Sequence, residues 1–280
     1  MRQLATITFL GRDKTGVVAR ITSFLFEQGA NIEELEEQVT RGQFSMTIQA
    51  SWRVAAFHLA ALQSGLSALG RALGMEIKVR LTHPGRQWFA IMVTKEPHCL
   101  AALLGACRAG QIKAEPALVL SNRGDLAKLA LASGIPFLRV RWQERARAEA
   151  QTLKAFEKHG VDFIVLARFM KLLSPNFVWR YKNKIINIHP SLLPSFPGPQ
   201  AYRQAYEQGV KIVGVTAHFV TMHLDAGPII AQGTFRVRSK GTLKDIVAAG
   251  QKLEAKVLVQ ALRLYLTKRL DVYWGIVKEV

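Results

Sequence analysis

Ile185-Ile186-Asn187-Ile188-His189-Pro190-Ser191-Leu192-Leu193-Pro194-Ser195-Phe196-Pro197-Gly198 begins as a β-branched apolar run and breaks at a proline directly after its histidine. Side chains alternate along a strand, so Asn187 and His189 leave on one face while Ile186 and Ile188 leave on the other. An amide and an imidazole therefore emerge side by side at a strand end, beside a loop stiffened by Pro190, Pro194, Pro197 and Pro199. Open α/β sheets hold their ligands at such carboxyl ends. A lone Asn and His can equally serve to satisfy a turn. A second stretch, Leu224-Asp225-Ala226-Gly227-Pro228-Ile229-Ile230, tips the reading towards chemistry, because it sets a carboxylate just before another turn and another apolar run.

Around this centre, strands and helices alternate. Trp88 to Val93, Ala117 to Leu120, Phe137 to Val140 and Phe163 to Ala167 are apolar runs of strand length. Helical patterns separate them at Pro97 to Arg108, Leu126 to Ala132, Gln143 to His159 and Asn176 to Tyr181. Several of the strands have no polar face, which predicts an open, mostly parallel, Rossmann-like sheet covered on both sides. Gly214 to Val220 and Ile229 to Val237 add two paired strands, and Thr242 to Leu266 is the closing helix. Neither a G-x-G-x-x-G nor a P-loop pattern occurs, so nucleotide binding of those kinds is not indicated.

The first 83 residues read differently. Leu4 to Leu10 alternates as a half-buried strand, and Thr15 stands where it would cap a helix carrying Val18, Ile21, Leu25 and Phe26. Gly29 takes the usual place just past that helix. Strands at Asn31 to Thr40 and Gln43 to Ala50, joined by Arg41-Gly42, precede a second helix from Val54 to Leu73 and a last strand from Met75 to Leu81. The order βαββαβ is a ferredoxin-like split unit. His83-Pro84-Gly85-Arg86 punctuates the chain and divides it into residues 1–83 and 84–280.

Composition narrows the function. The chain of 280 residues is 49% hydrophobic and 21% charged, as a globular protein is. No apolar run approaches the roughly 18 residues that span a bilayer, and Arg12, Asp13 and Lys14 interrupt any signal-peptide pattern. Cys99 and Cys107 are too few for a disulfide framework and lack zinc-site companions, which suits the reducing cytoplasm. The net charge of +18 is uneven: residues 1–83 hold 9 Lys+Arg against 7 Asp+Glu, and the rest hold 29 against 13. Basic residues are scattered, with no arginine-rich tract, so the expected partner is a small polyanionic substrate rather than nucleic acid or membrane.

Two resemblances sharpen this. Gly11-Arg12-Asp13-Lys14-Thr15-Gly16-Val17-Val18 and Gly29-Ala30-Asn31-Ile32 resemble the corresponding turns of an ACT domain, a small module that often binds amino acids. The resemblance implies an effector site edged by the Asp13 to Gly16 loop and Asn31, with glycine or methionine as first candidates. A purely structural pairing module is the alternative. Either implies a homo-oligomer, dimer or tetramer. Residues 84–280 resemble the formyltetrahydrofolate-dependent formyltransferase family, through Asn187 to Pro194, Leu224 to Ile230 and the supporting run Val165-Leu166-Ala167-Arg168-Phe169-Met170-Lys171-Leu172-Leu173-Ser174-Pro175.

By that resemblance Asn187, His189 and Asp225 are catalytic, and the chemistry explains the residue types. Attack on a formyl carbon builds negative charge on its oxygen, which calls for preorganised donors such as an amide NH₂ and a protonated imidazole. A nearby carboxylate orients the imidazole, holds an attacking water and moves protons. The folate ring is expected against Arg168, Phe169, Met170, Lys171 and Leu173, and against Val220 and Leu224, mainly through main-chain groups. No cofactor or metal is implied; the tetrahydrofolate derivative is substrate and product. Ser191 reads as loop-shaping, Cys99 as packing or lining the site, and His218 as a structural histidine. His223 draws attention by standing two residues before Asp225.

What attacks the formyl group stays open between three readings. With the ACT-like unit, the resemblance implies hydrolysis of 10-formyltetrahydrofolate to formate and tetrahydrofolate, supplying formate for purine synthesis. Val93-Thr94-Lys95-Glu96-Pro97-His98-Cys99-Leu100 lacks the glycine-rich loop with which glycinamide ribonucleotide formyltransferase holds its substrate phosphate, which favours the hydrolase. Pro190 gives the transferase-like His-Pro form, and Met222-His223 stands where the family tends to be acidic; both depart from the hydrolase pattern. A folate sensor without turnover is the third reading.

Overall fold

β1 (Arg2–Arg12), α1 (Val17–Glu27), β2 (Asn31–Thr40), β3 (Gln43–Arg53), α2 (Leu59–Leu73) and β4 (Met75–Thr82) build the N-terminal unit of the computed structural model. Its sheet is four-stranded and antiparallel, in the order β2-β3-β1-β4. Ala5, Ile7 and Phe9 of β1 bury against Val17, Ile21 and Leu25 of α1, as the two periodicities require. The structure describes residues 2–40, 42–82, 87–239, 241–267, 270–273 and 275–279. The chain separates into two units, Met1–Gly85 and Arg86–Val280. The expected junction His83-Pro84-Gly85-Arg86 lies outside the described residues, as does Arg41 of the expected turn.

Two local expectations fail. Thr15 does not cap α1: Gly16, at φ 82°, holds the cap position and no side chain accepts a hydrogen bond there. The second helix begins later than its apolar pattern suggested. Val54–Ala56 forms a single 3₁₀ turn, and Phe57 takes extended backbone that sets its ring 5.2 Å from Trp52. Gly29 does take the left-handed conformation past α1, at φ 69°.

The second unit runs β5 (Gln87–Val93), α3 (His98–Arg108), β6 (Ala114–Ser121), α4 (Ala127–Ala132), β7 (Phe137–Arg139), α5 (Arg145–Lys158), β8 (Phe163–Ala167), α6 (Pro175–Arg180) and β9 (Ile185–His189). It continues through α7 (Ala201–Glu207), β10 (Ile212–Phe219), β11 (Ile229–Arg236), α8 (Leu243–Leu266) and a hairpin of β12 (Leu270–Tyr273) and β13 (Ile276–Glu279). The seven-stranded sheet has the order β11-β10-β9-β8-β5-β6-β7. From β9 to β7 it is parallel; β10 runs antiparallel to both neighbours. α7 and the final hairpin were not expected from the sequence.

Strand alternation sorts the core into two layers. Ile91, Val93, Val165, Ile186 and Ile188 face Leu100 and Leu103 of α3 and Val257 and Leu258 of α8. Ala90, Met92, Ile164, Leu166 and Ile185 face Ala148 and Phe156 of α5 and Phe177 and Val178 of α6. The chain winds outward from β5 to β7, then returns to β8 on the other side of β5. That reversal opens a crevice at the carboxyl ends of β5 and β8, beside β9. Thr242 caps α8 through a reciprocal bond with Asp245, which fixes where this long helix starts. No helix among the described residues is long and apolar enough to cross a membrane.

Candidate active site

β9 buries Ile186 and Ile188 under α3 and α8 and leaves Asn187 and His189 on its other face. Asp225 reaches them from the turn after β10. That turn needs Gly227, because a Cβ there would stand 1.7 Å from the Phe219 carbonyl oxygen. Asp225 itself sits at φ 51°. Its Oδ2 accepts the Gly198 N–H at 2.8 Å and lies 3.3 Å from His189 Nδ1. His189 Nε2 faces the Phe196 carbonyl at 3.0 Å, and a carbonyl can only accept. Both ring nitrogens thus face an acceptor oxygen. The His189 and Asp225 side chains are almost fully buried, at 6% and 7% exposure.

His218 belongs to this group, which its place in an apolar strand did not suggest. Its Nδ1 donates to the Phe219 carbonyl at 2.8 Å, leaving Nε2 to accept from Asn187 Nδ2 at 3.2 Å. Burial lowers its pKa and keeps the ring neutral. It is satisfied, as expected of a structural histidine, but its partner is the candidate catalytic amide. This bond fixes which way the Asn187 amide points and leaves its second N–H for a ligand. Cross-strand register was the missing signal, since His218 stands opposite Asn187 in the β9–β10 pair.

Other singled-out residues divide. Ser191 shapes the loop: its hydroxyl donates to the Ser195 carbonyl, and its own carbonyl accepts from Thr216 at 2.8 Å. His223 is exposed, and its carbonyl takes bonds from Thr221 and Ala226. The loop from Arg168 to Ser174 is pinned along its length. The Met170 N–H donates to Thr94 Oγ1 at 3.1 Å, and the Ser174 N–H donates to Glu149 Oε1 at 2.6 Å. Phe169 packs edge-on against Trp142 with centroids 5.0 Å apart, and Leu173 and Val220 join the same core layer. The Val220 N–H is already committed to the Ile185 carbonyl at 2.8 Å. Val220 therefore offers a ligand neither that donor nor a free side chain. Met170 and Leu224 stay exposed, at 55% and 58%.

Lys171 lines a cavity of about 540 Å³ with Asn122, Arg139, Arg141 and Trp142. Arg123, also in its wall, is paired with Asp125 at 2.7 Å. The remaining cations suit carboxylates or phosphates. His98, Cys99 and Glu254 place ligand-type atoms within 4.8 Å of one another. A metal there would compete with Arg168, whose Nε lies 3.3 Å from the same Glu254 oxygen. Burial, and then the charge of Glu254, push the Cys99 thiol well up, away from the thiolate a metal needs. In the N-terminal unit, Asp13, Gly16 and Asn31 do not converge. Gly11 pairs with Phe44 and Asn31 with Ser51, at opposite ends of β3 and about 23 Å apart at roughly 3.3 Å per residue.

Comparisons with known proteins fit this fold. Residues 87–262 match the formyl transferase family model and residues 3–80 the ACT domain model. The formyltetrahydrofolate deformylase of Escherichia coli is 40% identical over 266 residues, covering 93% of this chain and 92% of the relative. The chain belongs to the formyltetrahydrofolate deformylase family. The crystal structure of a formyltetrahydrofolate deformylase from Pseudomonas syringae superposes with a TM-score of 0.68 at 30% identity, covering 100% of this chain and 94% of that one. Glycinamide ribonucleotide transformylase 1 from Symbiobacterium toebii has the same TM-score of 0.68 at 32% identity, and covers 71% of this chain and 96% of its own.

His218 yields a pH test. Burial places its folded-state pKa below the ordinary 6.5, so below that pH the unfolded chain binds more protons than the folded one. Stability that His218 allows near neutrality is therefore lost as pH falls from about 6.5. The urea midpoint of the wild type is expected to drop between pH 7.5 and pH 5.5, and that of His218→Gln to drop less. Equal drops in both would remove His218 as the titrating group.

Proposed function

We propose that the protein hydrolyses 10-formyltetrahydrofolate to formate and tetrahydrofolate, with Asn187, His189 and Asp225 as its catalytic residues. The carrying observation is that Asp225 Oδ2 lies 3.3 Å from His189 Nδ1 while Asn187, on the same face of β9, keeps an amide N–H to spare. Asn187 donates its spare N–H to the formyl oxygen as it gains charge, and His189 adds its Nε2–H once that bond turns from the Phe196 carbonyl. Asp225 orients the imidazole and takes a proton from the attacking water. The water oxygen bonds to the formyl carbon, the bond from N10 to that carbon breaks, and N10 gains a proton. No covalent intermediate on the protein is needed.

Water as acceptor is supported by relatives that match along nearly the whole chain and are named deformylases. The β5–α3 turn also supports it. Pro97 occupies the cap of α3 and has no N–H to offer a phosphate. On this reading Arg168 to Leu173 and Leu224 border the folate ring, and Arg139, Arg141 and Lys171 receive the glutamate carboxylates. Two free thiols suit a reducing compartment, and we place the protein in the cytoplasm.

Residues 1–83 form, on our reading, a regulatory and assembly domain, and residues 84–280 the catalytic one. The ACT domain match supports amino-acid binding. Because the Asp13 to Gly16 loop and Asn31 stand at opposite ends of one unit, a site drawing on both needs two copies, as a homodimer or tetramer supplies.

Purified protein incubated with 10-formyltetrahydrofolate alone should release formate. His189→Ala and Asp225→Asn should each lower kcat by about 100-fold or more with an unchanged circular-dichroism spectrum. A near-normal kcat in either folded variant would reject the assignment, and formate that appears only with an added amine acceptor would restore the transferase. Arg141→Ala should raise KM more for a polyglutamylated than for a monoglutamyl substrate; equal effects would remove the carboxylates from that cavity. Light scattering should give a mass of two or four chains, and glycine or methionine should shift the kinetics. A monomer at micromolar concentration whose kinetics ignore both amino acids would leave the N-terminal domain without either role.

A further inference from the structure

Outside the catalytic group, Glu254 of α8 is a heavily engaged carboxylate with no exposed surface. It accepts from Tyr202 Oη at 2.7 Å, faces His98 Nε2 at 2.9 Å and lies 3.3 Å from Arg168 Nε. Burial alone would raise its pKa. The hydrogen bond from His98, the charge of Arg168 and the hydroxyl of Tyr202 more than offset that and hold the carboxyl below its usual range. Each partner comes from a different segment at the carboxyl edge of the sheet. His98 opens α3 after β5, Arg168 leaves β8 into the pinned loop, and Tyr202 lies in α7 just beyond Gly198, the donor to Asp225.

Tyr202 reaches Glu254 through a slot one turn earlier on α8. A Cβ at Gly250 would stand 2.2 Å from its hydroxyl oxygen. Buried ion pairs of this kind are often matched or bettered in stability by apolar packing, so stability alone gives little reason to keep one. Position supplies a reason. The loop and cavity assigned to folate build on the core layer of α5 and α6, through Phe169, Leu173, Val220 and Trp142. The Glu254 network stands on the opposite layer, with α3 and α8. With folate placed against the first layer, as proposed above, the acceptor side of the formyl group is the side of α3 and α8, on which the network stands.

We propose that Glu254 sets the acceptor specificity, holding His98, Arg168 and Tyr202 as a closed wall that admits water and excludes amines. This rests on the deformylase reading given above. Opening the wall should let an amine nitrogen bond to the formyl carbon while the bond from N10 breaks and the amine's lost proton ends on N10.

The test measures formate and N-formylglycinamide by mass spectrometry, with full-length protein, 10-formyltetrahydrofolate and excess glycinamide. Wild type should give formate alone. Glu254→Gln and Tyr202→Phe should each raise the ratio of N-formylglycinamide to formate by about ten-fold or more over the wild-type background. Tyr202→Phe removes one hydroxyl from a ring that keeps its place against Gly250, so it decides the matter if Glu254→Gln does not fold. An unchanged ratio, or loss of formate without any N-formylglycinamide, overturns the proposal. Absence of formate with wild type alone would instead overturn the deformylase reading.

Discussion

One carboxylate oxygen, Asp225 Oδ2, takes the Gly198 N–H at 2.8 Å and stands 3.3 Å from His189 Nδ1. Three segments distant in sequence meet there: the end of β9, the proline-rich loop and the turn after β10. Neither bond can form unless the turn presses onto the strand, and Gly227 is what allows that approach. A buried carboxylate left without partners would carry a large desolvation cost, so the donors that stabilise Asp225 also fix where it sits. The geometry of the chemistry and the packing of the turn are thus one constraint. A side chain larger than hydrogen at Gly227 would disturb both together.

The sheet turns that local constraint into a site. Because β8 returns beside β5 instead of extending the run past β7, carboxyl ends from both directions of winding border one crevice. The antiparallel β10 then lies against β9 with His218 opposite Asn187. A neutral imidazole locked by the Phe219 carbonyl can present only a lone pair to its neighbour, which leaves the Asn187 amide one orientation. Strand register, set by apolar side chains on the far face, therefore decides the direction of a polar group on the near face.

What the sequence made legible follows from this division. β8 and β9 were read to the residue, because continuous β-branched runs bounded by turn residues admit little else. Asn187, His189 and Asp225 stand out locally through strand alternation and a turn glycine, while their catalytic roles rest on the resemblance. His218 and Glu254 were not. His218 lies in an apolar strand and Glu254 among the charges of an amphipathic helix, and each acquires meaning through a partner that only tertiary structure supplies: Asn187 across the sheet, Tyr202 across two helices. α7 was missed because it is short and follows four prolines. Asp13 and Gly16 stand far from Asn31 within one unit for a related reason, since the turns that hold them close opposite ends of one antiparallel sheet.

The two sides of the crevice are built on different physics, and this bears on how each would tolerate change. The loop from Arg168 to Ser174 is held by main-chain donors to Thr94 and Glu149 and by apolar packing of Phe169 and Leu173. Such support constrains backbone position and leaves exposed side chains such as Met170 free to vary, which is why residue type there says little about the ligand. On the side of α3 and α8, Glu254 is held by the Tyr202 hydroxyl, the His98 ring and the nearby charge of Arg168, partners that are not interchangeable. A guanidinium, an imidazole and a phenol each fit one approach to the carboxylate. Apolar packing adapts to a lost methylene by a small collapse, whereas a buried carboxylate that loses a donor cannot relax without admitting water. Sequence drift would therefore move first through the folate loop's outer side chains, while the Glu254 contacts would be kept or exchanged as a set.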